Sequence, residues 1–315
     1  RGGEAKSLGN IGLVYINLGR VPQAIQYLEQ GLALHREVGD LRSEAQDLGL
    51  LGWAYHCGGK LPEAIEKYEA QWYLACDLGD RREQTVSLGS LGNAYVDLEE
   101  YQRAFDCYER ALEIDHDLGD RRGEGQDLGN LGIAYARSGE LSKAIEFYEK
   151  FLNISRELGD QAGQSDALCN LGNAYLRTQD FGRALDYYQQ SLTLDRAMNN
   201  PASEEITLGN MAVAYLFLDQ PSLALDCYLR QLPILRELGK TREQSRLLLR
   251  LSAVLEKSGD PLEAIRYAEE ALPLFDQLED PYAAQLRLKI EEWRHRYLTD
   301  SQHSSEESVT NSSTG

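Results

Sequence analysis

The stretch LGSLGNAYVDLEEYQRAFDCYERAL, residues 88–112, decides the fold. Its first half places Leu88, Leu91 and Tyr95 at helical spacing, and a second apolar stripe begins at Tyr101. Apolar residues three and four positions apart lie on one face of an α-helix. Because a short polar stretch separates the two stripes, the segment predicts a pair of amphipathic helices joined by a tight turn.

The same pattern recurs every 40 residues along most of the chain. Leu-Gly-Asn or a near copy begins at Leu8, Leu48, Leu88, Leu128, Leu168 and Leu208. A degenerate seventh copy continues the phase at Leu248, and a Gly-Asp landmark such as Gly79-Asp80 keeps the same period. Two landmarks in fixed phase indicate a repeat protein, in which each unit packs on its neighbours.

Small residues recur where the two helices of a unit must approach closely. Alanine occupies one position of the second helix in all seven units, and glycine occupies one position of the first helix in five. These glycines are Gly12, Gly52, Gly92, Gly132 and Gly172. A glycine inside a helix costs up to about 1 kcal/mol relative to alanine, so its recurrence indicates a contact that a side chain would block.

Helix ends can also be read from the sequence. Asp80 followed by Glu83 matches a capping box at the start of a first helix. Gly119 suits the end of a second helix, which often closes on a residue in the left-handed conformation. We therefore expect the second helix of the third unit to span residues 101–118.

These residues resemble the tetratricopeptide repeat. The match over residues 1–280 is Leu-Gly-x-x-Tyr, an alanine nine residues later and an aromatic residue four further on. The unit is longer than the family's usual length of about 34 residues. It is similar to the units of Pins-type polarity scaffolds and of bacterial, especially cyanobacterial, arrays attached to signalling ATPases or caspase-like domains. The resemblance implies an all-α, right-handed solenoid (superhelix) of antiparallel helix pairs, with the first helices lining its concave face.

The two ends differ from the middle of the chain. We interpret residues 1–280 as seven repeats, and we expect the first to begin within a longer array because Arg1 follows the place where a Gly-Asp would stand. Residues 281–298 are expected to form a polar capping helix, which such arrays need to cover their last apolar face. The Ser-rich residues 299–315 are expected to be disordered.

Composition narrows the classes of partner. The net charge of −19 argues against nucleic acid, whose phosphates require clustered Lys and Arg. No apolar run approaches the roughly 20 residues of a membrane span, and no signal peptide opens the chain. The five cysteines are spread over four repeats without a Cys-x-x-Cys pair, which predicts free thiols and a cytoplasmic location.

Motifs of catalysis and cofactor binding are missing from the sequence. Gly239-Lys240-Thr241 matches the end of a phosphate-binding loop, but Ile234 stands where that motif requires its first glycine. The histidines lack metal-ligand spacing, and neither a nucleophile elbow nor a zinc-protease motif is present. We expect no cofactor, no metal and no enzyme activity.

Candidate binding residues follow from the predicted concave face, formed by positions 2, 6, 9 and 13 of each first helix when counted from residue 5, 45 and so on. Asparagine recurs there, and its carboxamide can both donate to and accept from the backbone of an extended peptide. These residues are Asn10, Asn93, Asn130, Asn170, Asn173 and Asn210. The alternative is that the asparagines bond to neighbouring repeats or are inherited by duplication.

Cationic side chains on the same face concentrate toward the C-terminal end of the array: Arg137, Arg177, Arg246, Arg250 and Lys257. A basic end in an acidic chain predicts an acidic partner segment. Part of this set also resembles the family's carboxylate clamp for peptide C-termini, which would use Asn173, Asn210, Arg246 and Arg250, although Cys169 replaces the clamp's first lysine. The alternative is solvated charge near the end of the stack.

The sequence thus predicts a non-catalytic scaffold for protein–protein interactions in signalling, which binds a peptide or helix of its partner in a concave groove. One alternative is the sensor or regulatory arm of a larger signalling ATPase or caspase-like protein whose effector domain lies outside this chain. Another is self-association of the array.

Overall fold

The computed structural model describes the backbone of residues 2–310 and the side chains of residues 2–297. Within this range the protein is all-α, and its fifteen helices pack as sequential antiparallel pairs. The helices are α1 Gly2–Asn17, α2 Val21–Val38, α3 Leu41–Cys57, α4 Leu61–Asp77, α5 Arg81–Asp97, α6 Tyr101–Leu118, α7 Arg121–Ser138, α8 Leu141–Glu157, α9 Gln161–Arg177, α10 Phe181–Ala197, α11 Pro201–Phe217, α12 Pro221–Glu237, α13 Thr241–Lys257, α14 Pro261–Gln277 and α15 Tyr282–Thr310. The odd-numbered helices α1 to α13 are the first helices of the repeats, and the even-numbered helices are the second.

The chain divides into two compact units, Arg1–Ala174 and Tyr175–Gly315. In the first unit, α1, α3, α5 and α7 contact one another in order. Among its described residues, α2, α4, α6 and α8 make no contact with each other, so second helices are separated by the first helices between them. First helices therefore line the inner side of this unit.

The recurring glycines of the first helices face a large side chain of the second helix, which is Leu28 at Gly12 and a tyrosine at Gly52, Gly92 and Gly132. A Cβ on Gly52 would lie 2.5 Å from the ring of Tyr68, and a Cβ on Gly92 would lie 2.4 Å from the ring of Tyr108. No real side chain tolerates such distances, so each ring packs on bare helix backbone of its own repeat. The predicted close contact is confirmed, and at these glycines an aromatic ring fills it.

Helix starts are capped largely as expected. The Asp80 carboxylate accepts a hydrogen bond from the Glu83 amide. The second half of the predicted capping box is not formed, because Glu83 accepts from Gln71 Nε2 at 2.6 Å and the Asp80 amide donates to the Ala75 carbonyl. Glu83 thus ties two repeats together instead of closing its own helix.

Helix α6 begins and ends at the predicted residues. Gly119 follows it at φ 67°, in the left-handed region that glycine adopts without steric cost. The turn brings the chain back for α7, whose first turn Asp120 caps through the Gly123 amide.

The last helix begins where the capping helix was expected but extends beyond Leu298, to Thr310. Its buried face is formed by Ala283, Leu286, Ile290 and Trp293, and it packs on α14. Of the tail for which we predicted disorder, residues 311–315 lie outside the described residues, as does Arg1. The predictions for the tail and for a preceding segment stay predictions.

Candidate functional site

The candidate binding surface is the exposed face of the first helices, formed by positions 2, 6, 9 and 13 and here called the first-helix stripe. Side chains at positions 2 and 13 are exposed in all seven repeats, and those at positions 6 and 9 are exposed or half-buried. The eleven candidate residues all lie on it, and none is buried: Asn10, Asn93, Asn130, Arg137, Asn170, Asn173, Arg177, Asn210, Arg246, Arg250 and Lys257. Packing consumes the other faces of these helices, which leaves this stripe accessible to a partner.

In the first unit, one candidate cation already has an acidic partner. Arg137 Nη1 donates to Asp97 Oδ1 at 2.6 Å, and His56 Nε2 lies 2.8 Å from Asp97 Oδ2. The hydrogen bond from His56, together with that from Arg137, lowers the pKa of the Asp97 carboxyl. The three groups come from three consecutive first helices and form a line of charge along the stripe. The charge of Arg137 is therefore largely balanced by Asp97. Such exposed pairs contribute only about 0–1 kcal/mol to stability.

The asparagines of the first unit divide into two kinds. Asn93 Oδ1 accepts a hydrogen bond from the Tyr108 hydroxyl at 2.7 Å, which links α5 to α6. At this position, the alternative of a bond within the protein is observed. Asn10, Asn130 and Asn170 have no hydrogen-bond partner among the described side chains, so their carboxamides remain available to a ligand.

Apolar side chains on the same stripe were missed by sequence reasoning. Trp53, Val86 and Ile133 are exposed by 38%, 57% and 41%. Their positions in the repeat could have identified them, since Trp53 and Ile133 occupy position 9 and Val86 occupies position 2 of their helices. The inner face of the first unit is therefore mixed apolar and polar.

In the second unit, three candidate cations share one face of α13. Arg246, Arg250 and Lys257 are 4 and 11 residues apart, which places them on one side of the helix. No ion pair among residues 2–297 involves any of the three. Arg250 lines one cavity together with Tyr228, whose pKa is raised by burial. Their positive charge is therefore unbalanced, in contrast to that of Arg137.

A cavity of about 560 Å³ opens beside these cations, between α11, α12 and α13 of the second unit. Its lining consists of Val213, Leu216, Asp219, Pro221, Tyr228, Arg250, Ala253, Val254, Lys257 and Ser258. Sequence reasoning identified two of these residues, Arg250 and Lys257, but not the cavity. The available signal was the small apolar side chain at position 9 in these two repeats, Val213 and Ala253.

The metal-ligating side chains of the described residues do not cluster, and the sequence that matches a phosphate-binding loop lies at a helix end. No group of three His, Cys, Asp or Glu side chains in it could hold a metal ion. Lys240, of the sequence that matches a phosphate-binding loop, pairs with the buried carboxylate of Glu205. Gly239 beside it lies at a helix end with φ 65°, as the repeat phase predicts.

The five cysteines are free. Burial raises the pKa of Cys107 and of Cys227 to about 11, so both thiols stay protonated and unreactive at neutral pH. No described helix combines the length and the apolar composition that crossing a bilayer requires.

Paired helices, tyrosine-on-glycine packing and an exposed stripe on the first helices define a helical-repeat protein. The chain belongs to the tetratricopeptide repeat family, whose sequence pattern matches residues 3–70, 83–157, 128–197 and 203–277. Members of this family typically mediate protein–protein interactions, and the repeats themselves are usually non-catalytic. No curated protein matches the sequence.

Several solved structures have a similar fold. BtubC from P. vanneervenii is 22% identical over 70% of this chain and 91% of its own, with a TM-score of 0.62. A signal transduction ATPase from Pyrococcus horikoshii with a tetratricopeptide repeat sensor is 16% identical over 94% of this chain, with a TM-score of 0.69, and the match spans 43% of that protein. Aspartyl phosphate phosphatase F from Bacillus subtilis is 11% identical over 86% of this chain and 70% of its own, with a TM-score of 0.67. At these identities the likeness concerns the fold.

Proposed function

We propose that this protein is a non-catalytic scaffold that binds an acidic segment of a protein partner along the first-helix stripe, with the cations of α13 as the principal contact. The observation that carries the proposal is that Arg246, Arg250 and Lys257 lie together without acidic partners. In a protein of net charge −19, many cations are paired with neighbouring carboxylates, whereas these three are not and lie on one helix face.

Charge and geometry favour an acidic peptide over other ligands. The three cations rise along α13 in one row, so they suit successive carboxylates on an extended or helical segment better than a single small anion. Positive potential on an otherwise acidic surface also speeds the encounter with an acidic partner and repels basic ones.

The test uses peptides selected on the native protein from a phage library of random dodecapeptides. We expect the selected sequences to be rich in Asp and Glu. The double variant Arg246→Glu with Arg250→Glu should bind the best selected peptide at least about tenfold more weakly by calorimetry, which is about 1.4 kcal/mol. Circular dichroism should show unchanged helicity, because both side chains are exposed.

The matched control is Arg110→Glu with Arg156→Glu. This variant makes the same change in net charge at two exposed arginines of the first unit that lie on second helices, away from the stripe. It should bind the peptide like the native protein. Equal affinity of the native protein and the Arg246, Arg250 double variant would remove the proposal. Comparison of free and amidated peptide termini then decides whether a C-terminal carboxylate takes part.

A second candidate function is that of a sensor or regulatory arm in a larger signalling ATPase or caspase-like protein. It is favoured by the likeness to the repeat sensor of the Pyrococcus ATPase, which extends over nearly all of this chain. The sequence of the complete gene tests it, since an encoded nucleotide-binding or caspase-like domain supports this candidate and a gene without either removes it. Self-association, the third alternative, predicts a mass that rises with concentration in light scattering.

We also propose a cytoplasmic location, on the ground that all five thiols are free. Cell fractionation with detection of the native chain tests this location, and recovery from an oxidising compartment contradicts it.

A further inference from the structure

We infer that the cavity between α11, α12 and α13 is a specificity pocket that takes one bulky apolar side chain of the partner, directly beside the carboxylates held by α13. The inference rests on the proposed function and adds the second half of the recognised motif. The partner segment then combines a Leu-, Ile- or Phe-sized residue with neighbouring Asp or Glu.

The cavity is large enough to admit such a side chain, and its lining suits an apolar one. Its volume of about 560 Å³ lies within the range of roughly 300–1,000 Å³ that is typical of ligand pockets. Val213 and Leu216 of α11 and Val254 of α13 supply apolar wall, and the ring of Tyr228 from α12 lines the same space. A polar side chain buried there would lose its water without gaining a matching partner from these walls.

The charged side chains that line the cavity indicate that the acidic residues of the partner lie beside the cavity and not inside it. Arg250 and Lys257 both belong to the lining and both extend from the exposed face of α13. Asp219 is the acidic residue of the lining, and it disfavours a carboxylate within the cavity itself. A partner segment with a neutral side chain inside the cavity and carboxylates toward α13 therefore avoids Asp219 and meets Arg250 and Lys257.

The corresponding place in the third repeat explains why the cavity exists. There the hydroxyl of Tyr108 donates to Asn93, the residue at position 9 of α5. In the sixth repeat the equivalent residues are Tyr228 and Val213, and valine has no atom that could accept this hydrogen bond. Tyr228 and Arg250 both line the cavity there. One substitution in the repeat pattern thus removes the asparagine and leaves the space beside Tyr228 and Arg250 open.

Selection from the random dodecapeptide library tests this motif directly. On the native protein we expect selected peptides to carry a bulky apolar residue at a fixed distance from their acidic residues. Replacing that apolar residue by serine should weaken binding about tenfold. Selected peptides that are acidic but show no apolar preference would overturn the inference.

The variant Ala253→Trp fills the cavity from an exposed position of α13, so it is compatible with folding. It should bind the selected peptide and its serine version with equal, reduced affinity, while both remain sensitive to the Arg246→Glu and Arg250→Glu changes. Val213→Asn, which restores the arrangement of the third repeat, should act in the same direction. Thr193→Trp adds the same side chain on the exposed surface of α10 in the same unit and should leave the preference intact.

The outcomes separate the two proposals. If charge reversal on α13 weakens binding but Ala253→Trp keeps the apolar preference, the pocket is wrong and the acidic-partner scaffold stands. If charge reversal has no effect, the proposed function fails and the pocket, which depends on it, fails with it.

Discussion

The four repeat junctions of the first unit have the same backbone but alternate in buried chemistry. A junction is the contact between the second helix of one repeat and the first helix of the next. At the two positions that face each other there, the chain holds His35 with Asp47, Ala75 with Ser87, Asp115 with Asp127 and Ser155 with Ala167. The first and third junctions therefore bury ionisable pairs, whereas the second and fourth bury small neutral residues. A neighbouring position follows the same alternation, with Glu44, Gln84, Glu124 and Gln164.

The two ionisable junctions differ in how well their charges are satisfied. His35 Nδ1 lies 2.6 Å from Asp47 Oδ2, and both side chains are nearly inaccessible, while His35 Nε2 has no hydrogen-bond partner among the described residues. Burial raises the pKa of Asp47, but the bond to His35 opposes this shift. Asp127 has no cationic neighbour of this kind, and its Oδ2 is buried without a hydrogen-bond partner among the described residues. Burial, with the nearby charge of Asp115, raises the pKa of Asp127 to about 8.

The comparison teaches that the repeat pattern determines the backbone of a junction but leaves its buried pair free to vary. Leucines, alanines and tyrosines supply the packing at every junction, so a carboxylate paired with histidine, a carboxylate beside a second carboxylate and a neutral pair are all compatible with the same helices. Local stability is then set junction by junction.

Breaking the His35–Asp47 pair should change the free energy of unfolding the most. Asp47→Ala leaves the His35 ring buried without its carboxylate, and we expect the free energy of unfolding to fall by about 3 kcal/mol. Urea unfolding followed by circular dichroism measures the loss, and hydrogen exchange should place it in α2 and α3. Ser87→Ala, at the equivalent position of a neutral junction, is the control and should cost under about 1 kcal/mol. Equal losses in the two variants would contradict the comparison.

Asp127→Asn should have the opposite sign. The folded-state pKa of Asp127 is raised to about 8 above its ordinary value of 3.8, so its contribution to stability is full below the ordinary value and is lost as pH rises through about 8. At pH 9 the buried carboxylate is ionised, and the asparagine variant should be more stable than the native protein by about 2 kcal/mol.

A carboxyl titration by NMR checks the cause of this effect. The Asp127 resonance should titrate near pH 8 in the native protein, and the stability of the asparagine variant should vary less between pH 5 and 9. A midpoint for Asp127 near 4 would show that the third junction tolerates its charge and would contradict this account.

A smaller effect is expected from making the two ionisable junctions alike. Asp115→His places a histidine opposite Asp127, as His35 stands opposite Asp47, and Gly123 leaves room beside position 115. We expect a gain of about 1 kcal/mol at pH 7, measured by urea unfolding. The double variant Asp115→His with Asp127→Asn lacks the carboxylate and should lose most of the gain.

The smallest effect concerns the neutral junctions. Gln84 Nε2 donates to the Ala75 carbonyl at 3.3 Å, and Gln84→Glu removes this donor while adding a charge near Cys76. At the first junction the matching carboxylate, Glu44, is paired with Arg36 at 2.7 Å. We expect Gln84→Glu to cost about 0.5–1 kcal/mol and the double variant Gln84→Glu with Cys76→Arg to recover it. No recovery in the double variant would show that the alternation is not carried by this pair.

The fold could be predicted from the sequence because packing repeats with the period of the chain. The bounds of α6 and the role of Gly92 follow from patterns that are local and recur several times. Helix-spaced positions also predicted which side chains are exposed on the first helices. These inferences need only the geometry of one helix and of its partner.

What could not be predicted depends on contacts between repeats or on empty space. The pairing of Arg137 with Asp97 joins residues one repeat apart, and either could have turned to solvent or to another charge. The cavity near Arg250 arises where Val213 and Ala253 leave a space, and a sequence does not state volumes. Asp127 resembled any other solvated carboxylate until its burial was known.

Because the junctions alternate, the number of repeats deleted decides whether the buried residues at the new junction match each other. Deleting residues 41–80 would bring His35 against Ser87, so the histidine would lose its carboxylate. Deleting residues 41–120 would bring His35 against Asp127 and rebuild the pair of the first junction, while removing the unsatisfied pair of the third. The backbone repeats once per unit, but the unit of tolerated insertion and deletion is two repeats.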